Sequence, residues 1–192
     1  MIAAIILAGG LARRMGGGDK ALLPLGKTTV LAHIVTRLTP QVDALAINAN
    51  GDPARFAQAG LPVLPDTVPG FPGPLAGVLA GLEWAAGCGA AWLVTAPGDT
   101  PFLPADFVLR LYAGRSPSGF ACAASGGRTH PAAALWPVSA RDALAQALAA
   151  GLRKIDAFTG PDAAAVEWPV HPADPFFNIN TPDDLAAAAR LA

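Results

Sequence analysis

Cysteine is scarce in this chain: Cys88 and Cys122 are the only two, far apart and without a CxxC spacing. That excludes a disulfide framework and a zinc knuckle, and two buried, inert thiols without a redox role are expected. Charge is scarce as well. Thirteen Lys and Arg against 14 Asp and Glu leave a formal net charge of −1, so no basic field exists for a long nucleic acid. Long hydrophobic runs are missing too: 53% of residues are hydrophobic, yet no stretch of about 18 apolar residues is free of charge or of repeated Gly and Pro, which excludes a spanning helix. A secretory leader is not indicated either. The apolar opening "MIAAIILAGGLA" is followed, not preceded, by the positive charge of Arg13 and Arg14. A soluble, cytoplasmic protein is expected. Neither an interdomain linker nor a repeat interrupts the chain, so residues 1–192 read as one domain, long enough to bury its own core.

What is present is an alternation of short apolar runs with helix-like segments. "IAAIIL" (2–7) reads as a buried strand, and "TTVLAHIVTRL" (28–38) places Val30, Ile34, Val35 and Leu38 at helical intervals. "ALAIN" (44–48) and "PVLP" (62–65) read as strands around a short helix, "PARFAQAG", stopped by Gly60. The stretch from Gly73 to Gly87 reads as a helix opened by Pro74, followed by the strand "AAWLVTA" (90–96). In "LPADFVLRLYAG", Pro104 sits near a helix start, Asp106 falls in the first turn and Gly114 ends it. "FACAA" and "AAALW" read as strands joined by a polar turn, and "SARDALAQALAAG" as an amphipathic helix. In the tail, Thr181 caps, Pro182 fits the first helical position and Asp184 completes a capping box. This rhythm predicts a mostly parallel α/β sheet, whose ligands bind beyond the carboxyl ends of the strands.

A glycine-rich segment, "LAGGLARRMGGGDKALLPL" (7–25), follows the first strand. A P-loop reading fails: "GKT" occurs at Gly26 to Thr28, but the position five before Gly26 is Ala21. A dinucleotide fingerprint can be forced onto Gly16, Gly18 and Ala21, without the strand end and helix start it requires. What remains is a bend in which Gly9 and Gly10 offer bare N–H groups to an anion, with Arg13, Arg14 and Lys20 bringing charge. A triphosphate needs that combination. Downstream, "WLVTAPGDTPF" delivers Asp99 to a strand's carboxyl end, where a hard cation such as Mg²⁺ is held by one or two carboxylates plus substrate phosphates. Asn178 and Asn180 stand just before a helix N-terminus, where amides and free N–H groups can meet a phosphate.

These segments carry a resemblance. The loop 7–25 resembles the signature L-A-G/A-G-x-x-x-R-M-G-x-x-K of the nucleotidyltransferase superfamily. "INAN" (47–50), "PDTVPGFPGPLAG" (65–77), "APGDTPFL" (96–103) and "FFNINTPDDL" (176–185) follow in the order of the molybdenum cofactor guanylyltransferase family, so the similarity runs from end to end. Gly98 departs from the family's spelling, in which relatives often carry a larger side chain. The resemblance implies a three-layer, Rossmann-like fold of the nucleotide-diphospho-sugar transferase type. It also implies transfer of GMP from GTP to the terminal phosphate of molybdopterin, with Mg²⁺ required and pyrophosphate released. Contacts with other cofactor-biosynthesis proteins or recipient molybdoenzymes would be transient.

Carried over residue by residue, the resemblance gives Leu7, Ala8, Gly9 and Gly10 to the backbone that holds the nucleotide. Lys20 goes to the triphosphate, Arg14 to the β and γ phosphates or the transition state, and Asp99 to the metal. Asn48 and Asp66 fall where a base edge would be read through paired hydrogen bonds, and Asn178 and Asn180 where substrate is held. Arg128 and His130 in "GGRTHP" are candidates for the pterin half. No His/Asp constellation lies near the loop, and none is needed if the attacking group is already a phosphate anion. The rivals are a cytidylyltransferase or sugar-phosphate nucleotidyltransferase, a non-catalytic delivery protein, and a GTPase switch. "PGFPGPLAG" (69–77) is either a lid or a rigid connection.

Overall fold

The structure, a computed structural model, describes residues 1–9, 18–68, 73–160 and 163–192. Strand β1 (Ile2–Leu7) is followed by a two-stranded hairpin, β2 (Pro24–Leu25) and β3 (Thr28–Thr29), which leads into α1 (Val30–Leu38). Next come β4 (Ala44–Asn48), β5 (Val63–Leu64), α2 (Pro74–Gly87), β6 (Trp92–Pro97) and α3 (Phe107–Ala113). The remainder is β7 (Ala121–Ser125), β8 (Arg128–Pro137), α4 (Arg141–Ala149), α5 (Ile155–Thr159), β9 (Ala164–Trp168) and α6 (Pro182–Ala189).

Seven strands form one sheet in the order β5-β4-β1-β6-β8-β7-β9. β5, β4, β1 and β6 are mutually parallel, β8 runs antiparallel to both β6 and β7, and β7 pairs with β9 in parallel. The sheet is therefore mostly parallel, and helices cover both faces. On one face Ala4 and Ile6 of β1 pack with Val30, Ile34 and Leu38 of α1 and with Phe107 and Leu111 of α3. On the other, Ala3 and Ile5 pack with Leu75, Val78 and Leu82 of α2 and Leu144 and Leu148 of α4. A strand covered on both faces has to be continuously apolar, which is why "IAAIIL" shows no alternation. Ile5 and Ile6 are fully buried, each contributing about 1.5–3 kcal/mol of transfer free energy. Helix α2 lies close against the sheet: a Cβ added at Gly81 would stand 2.8 Å from Ile5 Cγ2, and one at Gly77 2.2 Å from Asn48 Oδ1. Two glycines one turn apart make that approach possible. Among the described residues no helix is long and apolar enough to cross a membrane.

Several local expectations are corrected. "GKT" is the tip of the β2–β3 hairpin, with Gly26 at φ 62, so Thr28 and Thr29 are strand rather than helix. "PARFAQA" is a run of 3-10 turns capped by Asp52, since Pro53 opens it and Gly60 closes it before an α-helix can propagate. Helix α3 starts at Phe107, leaving Asp106 at the N-cap rather than in the first turn. Its carboxylate instead accepts from Trp168 Nε1 at 3.0 Å. Cys122 is buried as expected, and burial pushes its thiol up to about 11. Cys88, at the end of α2, is exposed. The strand β9 and helix α5 were not marked by the sequence. β9 is an edge strand of which only Trp168 is buried, and α5 is five residues long. Neither is long enough to show a period.

Candidate active site

Register brings the carboxyl ends of the parallel strands to one level. Leu7 of β1 lies opposite Asn48 of β4 on one side and Pro97 of β6 on the other, and Asn48 lies opposite Leu64 of β5. Beyond these ends the backbone keeps pairing: Ala8 N–H donates to Asn48 C=O at 2.9 Å, and Gly98 N–H to Leu7 C=O at 3.0 Å. A Cβ on Gly98 would sit 2.9 Å from Leu7 O and 3.0 Å from Ala8 Cα. The departure noted at Gly98 is thus matched by a tight seam between β1 and β6, which a larger side chain would have to open. Gly9 is exposed, with nothing within 4 Å of its Cβ position, so its backbone lies bare. Gly10, Arg13 and Arg14, assigned to the same bend, lie outside the described residues, as do residues 69–72 of "PGFPGPLAG".

Across this strand-end crevice three distant segments meet. Lys20 opens a 3-10 turn, and its ammonium donates to Asn180 Oδ1 at 2.5 Å and pairs with Asp99 Oδ2 at 3.6 Å. Burial pushes the Asp99 carboxyl above its ordinary value, with Lys20 pulling against it. Asp99 C=O accepts from Ile179 N–H at 2.9 Å, and Thr100 Oγ1 donates to Asn178 Oδ1 at 2.9 Å. The tail segment is therefore stitched to the loop after β6. It is also set by its own helix: the Asp184 carboxylate accepts from Asn180 N–H at 3.0 Å and Thr181 N–H at 2.8 Å, completing the capping box. Those N–H bonds, Asn180's first, hold Asp184 below the usual carboxylate range. Leu7, Ala8, Lys20, Pro97, Asp99 and Asn178 are among the residues lining a cavity of about 260 Å³ here.

Asn48 and Asp66 come together, but not as two parallel readers of a ligand. Asn48 is buried, and its NH₂ donates to Leu64 C=O at 3.1 Å and to Asp66 Oδ1 at 3.0 Å. Both hydrogens are consumed, and Oδ1 faces α2 at Gly77. Asn48 acts as a bracket for Asp66. A second bracket, which the sequence did not single out, is Asn50: its Nδ2 donates to Asp66 Oδ2 at 2.8 Å and its Oδ1 accepts from Asp66 N–H at 2.9 Å. Arg55 continues the chain, donating to Asn50 C=O at 2.5 Å and to Asp19 Oδ2 at 2.6 Å. The residue before Lys20 is thereby tied to the segment that holds Asp66. Asn50 stood in the quoted "INAN", but nothing local marks Arg55 as a partner of a residue 36 positions earlier.

Two further cavities continue from the first. One of about 200 Å³ and one of about 350 Å³ are both lined by His130, Thr129, Phe176 and Asn178. Asn178 lines all three, so the crevice is a single groove running from Lys20 to the far side of β8. Arg128 lines the outer cavity and is largely exposed. Ser125 and Asp174, overlooked in the sequence, stand behind His130: Ser125 Oγ lies 2.7 Å from His130 Nε2 and 2.8 Å from Asp174 Oδ1. The signal that could have found Asp174 is its place two residues before the "FFNIN" segment.

Residues 4–165 match the family model of a MobA-like NTP transferase domain. The chain is 59% identical over 196 residues to a protein of Rhodopseudomonas palustris (strain HaA2) named molybdenum cofactor guanylyltransferase, covering 98% of this chain and 91% of the relative. Among solved structures, molybdopterin-guanine dinucleotide biosynthesis protein A from Archaeoglobus fulgidus is 25% identical at a TM-score of 0.74, covering 100% of this chain and 98% of the other. Rv0371C from Mycobacterium tuberculosis, solved in complex with manganese, shares the fold at 18% identity and a TM-score of 0.67, covering 100% of this chain and 99% of its own.

Proposed function

The chain belongs to the MobA-like NTP transferase family, and from that premise we propose that it transfers GMP from GTP to the terminal phosphate of molybdopterin, releasing pyrophosphate. The observation that carries this reading is the meeting of Lys20, Asp99 and Asn180 at the mouth of the parallel strand ends, from segments 160 residues apart. A phosphate oxygen of the acceptor attacks the α-phosphorus of GTP. A new P–O–P linkage forms, the bond to the β-phosphate breaks, and its electron pair leaves on pyrophosphate. The attacking oxygen is already an anion, so no general base is required. The protein's task is positioning and charge stabilisation.

Each residue has a part in that task. The backbone of Leu7, Ala8 and Gly9 lines the nucleotide, and Gly10 is assigned to the same role. The Lys20 ammonium, oriented by Asn180 and Asp99, has one N–H left for a phosphate oxygen. Arg14 takes the β and γ phosphates. Asn180 gives its Oδ1 to Lys20, which leaves its NH₂ for substrate, and Asn178 is held by Thr100 in the same way. Asp66, bracketed by Asn48 and Asn50, presents acceptor oxygens only, which suit the paired N–H donors of guanine and not the acceptor–donor edge of adenine.

Asp99 fits a divalent cation. It is a hard oxygen donor on the cavity wall, and because burial raises its carboxyl against the pull of Lys20, a further positive charge there would favour the ionised form. We assign it Mg²⁺, which when bound neutralises charge on the phosphates. The test is pyrophosphate release by the purified protein with Mg²⁺ and molybdopterin, using GTP, CTP, ATP and UTP in turn. Preference for GTP is expected. Preference for CTP overturns the base assignment, and steady GTP hydrolysis without acceptor overturns the transfer reaction.

A further inference from the structure

The three polar side chains at the far end of the groove resemble a nucleophilic triad in composition only. In such a triad the histidine takes the serine's proton. Here Asp174 Oδ1 accepts both Ser125 Oγ–H at 2.8 Å and Phe176 N–H at 2.9 Å, so the serine's proton is already committed. Ser125 is also fully buried, out of reach of any electrophile. With its own hydrogen spent, Ser125 Oγ can only accept from His130, at 2.7 Å, and His130 must carry its hydrogen on Nε2. The relay Asp174–Ser125–His130 is a tautomer lock.

A locked Nε2–H leaves Nδ1 of the neutral ring with a lone pair. Among the described residues that atom has no protein partner, and no buried side-chain nitrogen or oxygen is left unsatisfied. Nδ1 therefore opens to the outside, and the residue lines both outer cavities. The bond from Nε2 to Ser125 orients the ring, and stacking on Phe176, at 4.8 Å between centroids, supports its plane. A half-buried, rigid acceptor waits at one end of a groove whose other end holds Lys20 and Asp99.

We propose that His130 is a specificity-determining residue for the acceptor, its Nδ1 accepting an N–H from the pyrimidinone edge of the pterin ring, with Ser125 and Asp174 as positioning residues. The inference rests on molybdopterin being the acceptor. A pterin carries a ring N–H and an amino group on that edge, the same donor pair that guanine presents. The two rings thus offer the same pattern of donors to different acceptors, a charged two-oxygen one at Asp66 and a neutral single one at His130. Burial, as the largest cause, lowers the His130 pKa below its ordinary value. Asp174 and Glu167 oppose the shift, and Arg128 adds to it. The ring is then neutral at pH 7, as an acceptor must be.

The test is titration of molybdopterin onto the full chain by fluorescence, together with the KM for molybdopterin and the Kd for GTP, in wild type, His130→Ala, His130→Asn and Ser125→Ala. Loss of one hydrogen bond predicts roughly a 10-fold rise in acceptor KM and Kd for His130→Ala, with GTP Kd unchanged. His130→Asn, whose Oδ1 can stand near the position of Nδ1, recovers most of it. Ser125→Ala, which frees the tautomer, loses about 3-fold. Lowering the pH protonates Nδ1 and turns an acceptor into a donor. The wild-type acceptor KM therefore rises at acid pH, more steeply than that of His130→Asn. Unchanged acceptor affinity in His130→Ala, equal loss in His130→Asn, or identical pH profiles overturns the inference. Wild-type protein that binds no molybdopterin overturns the proposed function itself, and is distinguished by failing before any variant is made.

Discussion

The parallel half of the sheet, β5-β4-β1-β6, and the mixed half, β8-β7-β9, build their ends of the groove by different means. In the first half, backbone register does the placing. Leu7, Asn48, Pro97 and Leu64 are aligned by ladder pairing, and Asp66 and Asp99 follow within two residues of those ends, the Asp66 carboxylate held in addition by Asn48 and Asn50. In the second half the strands run in both directions, and the pocket is closed by 174–180, a segment outside the sheet that is held by side-chain bonds such as Ser125 to Asp174 and by one backbone bond, Ile179 to Asp99. Register is shared by every residue of a strand and resists single substitutions. A side-chain bond is a single contact, lost with either partner. Asp66 and Asp99 sit where placement is robust, and the residues proposed for the neutral ring where it is adjustable.

The sharpest attempt to break this division is Asp99→Ala. It should lower kcat/KM for GMP transfer by about 10²–10³-fold, the scale of one preorganised electrostatic group, while molybdopterin titrated without nucleotide binds as before. Equal loss of both would show that the two ends are one site. A smaller effect is expected from Asp66→Asn, which gives the base edge a donor beside an acceptor. The ratio of kcat/KM for GTP over ATP should fall about 10-fold or more. An unchanged ratio would remove base reading from the parallel half. The smallest effect belongs to Thr181→Ala, which deletes the cap that orders the start of α6. It should cost about 1 kcal/mol, seen as a melting temperature lower by roughly 2–4 °C, and a change in the GTP to ATP ratio would show that the tail reaches the base.

The same contrast governs what could be read from the sequence. The strands β1, β4, β5 and β6, the helices α1 and α2 and the capping box at Thr181 were legible because each leaves a local mark: an unbroken apolar run, a Pro near a helix start, a Thr three residues before an Asp; the two-residue strands of the β2–β3 hairpin and the 3-10 run at 53–59 leave none. Asp99 and Lys20 were legible for the same reason, one ending a buried run and one closing a glycine loop. Beyond Phe120 the marks fade. β9 is an edge strand with Glu167 in it, and α5 is too short to repeat. Bonds between distant residues leave no mark at all. Arg55 to Asp19 and Ser125 to Asp174 join side chains 36 and 49 positions apart, each individually ordinary for a surface or a turn. Asn48 shows the limit most plainly: its position was correct, but only the bonds to Leu64 and Asp66 reveal that its amide is turned inward.

The peptide N–H of Ile179 ends on the carbonyl of Asp99, with Asn178, a wall of every compartment of the groove, one residue before it. A substrate that tightened this backbone bond would do so for the other as well. By linkage, whatever factor GTP lends to the hold on its co-substrate must be returned undiminished in the opposite direction. Order of arrival then decides kinetics, never the final free energy of the ternary assembly.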